Sequence, residues 1–93
     1  MAAREVRDDG EYRRWVALHP TGLVLNTAAD PSTGSAMLHF GSCPHIADHK
    51  TGKLAGMHTR KFVAETKQEM RELAKNLGRP AGKRWNGCST CGA

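Results

Sequence analysis

Two stretches of this chain repeat their apolar residues at helical spacing, and three short runs between them alternate or cluster as strands do. In "DDGEYRRWVALHP", Tyr12, Trp15, Val16 and His19 fall at i, i+3, i+4 and i+7, which places them on one helix face. Asp8 is positioned to cap that helix, with Glu11 three residues on as its reciprocal partner. Pro20 ends it, because the residue before a proline avoids helical backbone. The second helix is the clearer of the two. Thr66 and Glu69 form a capping box, Met70, Leu73, Ala74 and Leu77 line one face, and Gly78 takes the C′ position.

Between the helices, "GLVLNT" reads as a strand, "ADPSTGS" as a turn and "AMLHF" as a second strand antiparallel to the first. Alternation assigns Leu38 and Phe40 to one face of that strand and Met37 and His39 to the other. "GSCPHIADHKTGKLAGMH" has glycines outside any period and reads as a loop, with one helical turn after Pro44. "TRKFVAE" is a third strand, and "GRPAGKRWNG" a Gly/Pro-rich tail. The pattern predicts a single α+β domain over residues 1–93. Its core is a small three-stranded, mainly antiparallel sheet with an N-terminal and a C-terminal helix, one or both packed on one face.

Size sharpens this picture. A chain of 93 residues with 39% apolar and 5% aromatic content builds its core from Leu, Val, Met and Ala around few rings, and is marginal without a staple. No run approaches the roughly 20 apolar residues of a membrane span. "MAAREVRDD" has no apolar stretch after its charges, so no secretory signal is read there and the expected compartment is the cytoplasm.

The cysteines supply a candidate staple. Three is an odd number for a disulfide framework, and the closest pair, Cys88 and Cys91, sits in the final "CSTCGA". Two intervening residues let both sulfurs turn toward one Zn²⁺ at about 2.3 Å. A thioredoxin-like redox pair would instead open a helix after a strand, and nothing helical follows Cys91. Tetrahedral zinc needs two more ligands. Cys43 is the remaining cysteine, and His39, His45, His49 and His58 are the candidate histidines. His39 is favoured, then His45: Gly41 and Ser42 can turn the chain so that His39 and Cys43 face one ion. The expected centre is therefore a structural Zn²⁺ on His39, Cys43, Cys88 and Cys91, clamping the tail against the turn after the second strand. A catalytic zinc would require an open position and a nearby carboxylate base. The deaminase-type His-x-Glu and Pro-Cys-x-x-Cys pattern is absent: "HFG" follows no such pattern and Gly87 precedes Cys88. No enzymatic activity is expected.

The segments "YRRWVALHPTGLVLN", "LHFGSC", "RKFVAET", "EMRELAKNL" and "CSTC" together resemble a small zinc-binding module of bacterial, largely actinobacterial, proteins. Its pattern is W…HP.G.VLN, then LHR..C, then KVCA, then C..C. Such modules stand alone or beside restriction-type nuclease domains, so the resemblance implies a DNA-linked or defence-linked role. Two positions depart from the pattern: Phe40 stands in place of Arg, and Val63 in place of a cysteine. His39 matches the pattern's histidine. If its strand neighbours the third one, it shares a sheet face with position 63 and can replace the missing ligand.

Charge adds a partner class. Residues 1–49 carry a balance of −2 and residues 50–93 a balance of +7. Lys67, Arg71 and Lys75 form a stripe on the second helix. Arg60 and Lys61 precede it, and Lys83, Arg84 and Trp85 follow, the tryptophan able to stack on a base or to lid the core. These residues are the candidate nucleic-acid contacts, DNA ahead of RNA. The alternative is a protein-interaction module with structural zinc, using an apolar patch at Trp15 and Leu18.

Overall fold

Both helices form where local capping chemistry and apolar spacing agree. The computed structural model describes residues 3–28, 30–32, 36–43, 59–80, 84–89 and 92–93. Among these, α1 (Asp9–Leu18) starts at Asp8, whose Oδ2 accepts the Glu11 N–H at 2.8 Å. The Glu11 carboxylate does not return to the cap; it pairs with Arg4 instead. α2 (Lys67–Asn76) carries the full reciprocal box: the Thr66 hydroxyl accepts the Glu69 N–H, and the Glu69 carboxylate accepts the Thr66 N–H. It ends as a Schellman motif. Gly78 has φ 85°, its N–H reaches the Lys75 carbonyl, and the Arg79 N–H reaches the Ala74 carbonyl.

The sheet has five strands rather than three. β1 (Arg4–Val6), β2 (Leu23–Ala28), β3 (Ala36–Phe40), β4 (Thr59–Ala64) and β5 (Asn86–Gly87) lie in the order β1-β4-β2-β3-β5. The three expected strands form its centre, antiparallel as predicted for β2 and β3. Two short edges were added to them. β1 pairs antiparallel to β4, and β5 pairs parallel to β3, so the sheet is mixed. Neither edge strand has enough residues to show a period of two, and "WNG" carries the composition of a turn. The helical turn expected after Pro44 falls outside the described residues.

The helices pack on opposite faces of the sheet, not on one. Tyr12 and Trp15 of α1 cover Val6, Val24 and Val63, with Cys43 and Cys88 in the same cluster. Met70 of α2, with Leu73 and Leu77 around it, covers Leu23, Leu25, Leu38, Phe62 and Ala64. Neighbouring residues of β2 and β4 thus enter different cores, so the central strands are buried on both sides and read as apolar runs. Leu25 and Leu38 are fully buried, each contributing about 1.5–3 kcal/mol. Among the described residues, no helix is long and apolar enough to cross a membrane.

Gly78→Ala forces a Cβ into left-handed backbone. It is expected to cost about 1 kcal/mol, seen as a fall in Tm of about 4–8 °C. Leu38→Ala should cost about 2–5 kcal/mol in urea unfolding.

Candidate metal centre

The turn after β3 is built to carry Cys43 back toward its own strand. The Cys43 N–H donates to the Phe40 carbonyl at 3.0 Å, closing a β-turn with Gly41 and Ser42 at its centre. That turn is stitched to the loop after α1: Gly41 N–H to the Gly22 carbonyl at 2.8 Å, and Ser42 N–H to the Pro20 carbonyl at 3.0 Å. Gly41 is required by this approach, since a Cβ there would lie 2.3 Å from the His19 carbonyl oxygen. Gly22 is held by the same packing, against the Trp15 ring. Trp15 in turn stacks on His19 at 4.3 Å between ring centroids. The "HPTG" corner is therefore the platform on which the Cys43 turn rests.

The tail reaches this platform through the sheet. β5 pairs Met37 with Asn86 and Leu38 with Gly87, and the Cys88 N–H donates to the Leu38 carbonyl at 3.0 Å. This register brings Cys88 beside His39. The last residues fold back as well: the Gly92 N–H reaches the Cys88 carbonyl at 2.8 Å, and Ala93 packs on the α2-side core.

His39, Cys43 and Cys88 are all buried, and their ligand atoms lie within 4.8 Å of one another. His39 Nδ1 stands 3.5 Å from Cys43 Sγ, and Cys43 Sγ 3.9 Å from Cys88 Sγ. A tetrahedron with metal–sulfur bonds of about 2.3 Å and metal–nitrogen bonds of about 2.0–2.1 Å has S–S edges near 3.8 Å and N–S edges near 3.6 Å. The two edges from Cys43 match, and the third, between His39 and Cys88, lies within 4.8 Å. The cluster can hold a metal ion, bringing together residues 45 apart in sequence. Cys91, like the alternatives His45, His49 and His58, lies outside the described residues.

Position 63 does not face this cluster across an adjacent strand. Val63 and His39 share a sheet face, but each is opposite Val24, which stands between them on β2. Two strand spacings of about 4.8 Å separate their backbones, so β3 is not the neighbour of β4 that the substitution of His39 for a residue at 63 assumed, although Val63 shares the α1-side core with Cys43 and Cys88.

The basic residues fall into two groups. Lys67, Arg71 and Lys75 are exposed on α2, and none is in an ion pair among the described residues. The others are placed differently. Arg60 makes a bidentate pair with Glu5, at 2.7 and 2.8 Å, and lies over the Phe62 ring. This pair holds the Glu5 carboxyl below its ordinary value. Lys61 is only 5% exposed. Arg84 is half-buried, and Trp85 packs on the α2-side core, on the face opposite the metal cluster. Lys83 lies outside the described residues. The suggested apolar patch on α1 is split: Trp15 is in the core, while Leu18 is 76% exposed.

No family model matches the chain, and no curated protein or solved structure matches it significantly.

Burial holds the Lys61 ammonium below its ordinary value of 10.5. Between the lowered value and the ordinary one, the unfolded chain binds more protons, so this residue's contribution improves as pH rises. Lys61→Met is expected to stabilise the protein by about 1 kcal/mol at neutral pH. In denaturant titrations, the gap to the wild type should narrow as pH approaches 10.5.

Proposed function

We propose that this chain is a small module whose fold is locked by one structural Zn²⁺ and whose α2 surface binds the phosphate backbone of nucleic acid, DNA in the first instance. The zinc reading is supported by two of the three ligand–ligand edges among His39, Cys43 and Cys88, those from Cys43, which match tetrahedral geometry, while all three ligand atoms lie within 4.8 Å of one another. A donor set of two thiolates and an imidazole favours zinc over hard cations. Cys91, three residues beyond Cys88, is the fourth ligand in this reading. The site has no catalytic duty, since a set of four protein ligands is closed.

The nucleic-acid reading is supported by the exposed stripe on α2. Lys67, Arg71 and Lys75 recur every fourth residue, at intervals of about 6 Å along one side of the helix. The resemblance to modules found beside restriction-type nucleases supports the same partner. Arg60, Lys61 and Trp85, held in the fold, are not assigned to the contact.

Native mass spectrometry is expected to show one Zn²⁺ per chain, lost with chelator or in Cys43→Ser, Cys88→Ser and Cys91→Ser. Structural zinc contributes about 10–16 kcal/mol in small peptides, against total stabilities of about 5–15 kcal/mol. Metal removal should therefore unfold the chain, seen as loss of near-UV circular dichroism. A metal-free protein with unchanged spectrum and Tm would rule the zinc reading out.

Binding to duplex DNA should weaken with salt, with a slope of about −3 in log K against log salt for three phosphate contacts. Charge reversal at Lys67, Arg71 and Lys75 should abolish binding while leaving Tm and metal content unchanged. Absence of binding to duplex and single-stranded DNA at low salt would refute this reading.

A further inference from the structure

Helix α1 covers only part of its side of the sheet. Tyr12 and Trp15 close on Val24, Cys43 and Cys88. One row further along the strands, the same face presents Asn26 on β2, Met37 on β3 and Asn86 on β5, in register with one another. Met37 is 38% exposed, and Asn86 is exposed as well. A cavity of about 270 Å³ opens over this row. Asn26, Met37 and Asn86 line it, with His39 at one end and Ala28 at the other.

No carboxylate, ammonium or guanidinium lines the cavity, which selects a neutral occupant. What the lining does offer is two primary amides, each with two N–H donors and one carbonyl acceptor. Among the described residues, no hydrogen bond reaches the side chain of Asn26 or Asn86, and the Asn26 Oδ1 is buried without a partner. Buried polar atoms are ordinarily paired. Turning the Asn26 amide about its last torsion toward the cavity breaks no hydrogen bond among the described residues.

The spacing of the two amides narrows the choice of ligand. Each flanks Met37 at one strand spacing of about 4.8 Å, so their backbones stand about 9.6 Å apart. That span admits one flat ring, with an amide at either edge and the polarizable Met37 thioether against its face. Nucleobases are neutral flat rings whose edges set donors beside acceptors, the pattern that an amide matches. The volume lies just under the range of about 300–1,000 Å³ for drug-sized ligands, which suits a single base.

We propose that this cavity binds one nucleobase. Asn26 pairs with one edge of the ring, Asn86 with the opposite edge, and Met37 packs on its face. The site depends on neither the zinc reading nor backbone binding by α2, which packs on the other face of the sheet. A free nucleoside and an unpaired base in a strand present the same chemistry here, and the test separates these two sources.

The intact chain, supplied with Zn²⁺, is titrated with adenosine, cytidine, guanosine and thymidine, with ribose as the control, and with a short single-stranded DNA. Binding is followed by calorimetry, by the side-chain amide resonances of Asn26 and Asn86, and by the Met37 methyl resonance. Saturable binding of at least one nucleoside that shifts all three signals is expected, with no shift from ribose. Asn26→Leu should weaken it by about tenfold or more, with Tm equal or higher and metal content unchanged. Asn86→Ala, on an exposed side chain, should weaken it similarly at unchanged Tm. If Asn26→Leu does not fold, Asn86→Ala and Met37→Ala decide. Charge reversal at Lys67, Arg71 and Lys75 should leave nucleoside affinity unchanged, which keeps this test apart from that of the α2 surface. Shifts of the three signals by the single strand alone, weakened in Asn86→Ala, support the proposal with a strand as the source. Three outcomes overturn it: none of these probes moves the three signals at millimolar concentration, ribose binds as well as the nucleosides, or the variants bind with unchanged affinity.

Discussion

The convergence of Cys88 on Cys43 and His39 is the constraint on which the rest of this small protein depends. It joins positions 45 residues apart at 3.9 Å between sulfurs, in a chain of 93 residues. Closing so long a loop is costly in entropy, and a two-residue edge strand is too short to offset it alone. Pairing of Asn86 and Gly87 with β3 supplies direction and register, while the cluster supplies a reason for that register to persist. A slip of one residue would turn Cys88 away from His39 and toward the α2-side core.

That convergence rests on backbone contacts rather than on side-chain choice. The Cys43 turn hangs from the Pro20 and Gly22 carbonyls, and Gly41 must come close enough to His19 that no side chain fits. Trp15 fills the space beneath, against Gly22 and His19. The helix–proline–glycine corner thus acts at a distance on the His39/Cys43/Cys88 cluster: it fixes the height and tilt of one thiol, and the sheet fixes the other two groups.

The central strands and both helices were legible because their signals are local. Asp8, Thr66, Glu69 and Gly78 announce helix ends, and the apolar runs of β2 and β4 announce burial. The approach of His39 to Cys43 was legible for a similar reason, since Gly41 and Ser42 between them imply a turn. What was not legible is what arises from pairing. β1 and β5 become strands only because β4 and β3 offer free edges. Lys61 looked like half of a basic pair with Arg60, whereas β1 makes β4 an interior strand and shuts the lysine in. The same edge strand supplies Glu5, which takes Arg60 out of the exposed charge.

The sheet consequently separates two chemistries. On the α2 side, lysines and arginine stand in water on a helix capped at both ends, where their charge is cheap and acts at long range. On the α1 side, a histidine, two thiols and a lysine are gathered out of water beside the buried Oδ1 of Asn26, where every unpaired polar atom is costly and each interaction is short-ranged. A chain with so little apolar material gains nothing in stability from burying Lys61 and the Oδ1 of Asn26 in place of aliphatic groups. Their presence in the row next to His39 is a cost against the fold. It is on this side, rather than along the basic helix, that the structure departs furthest from what stability alone would select.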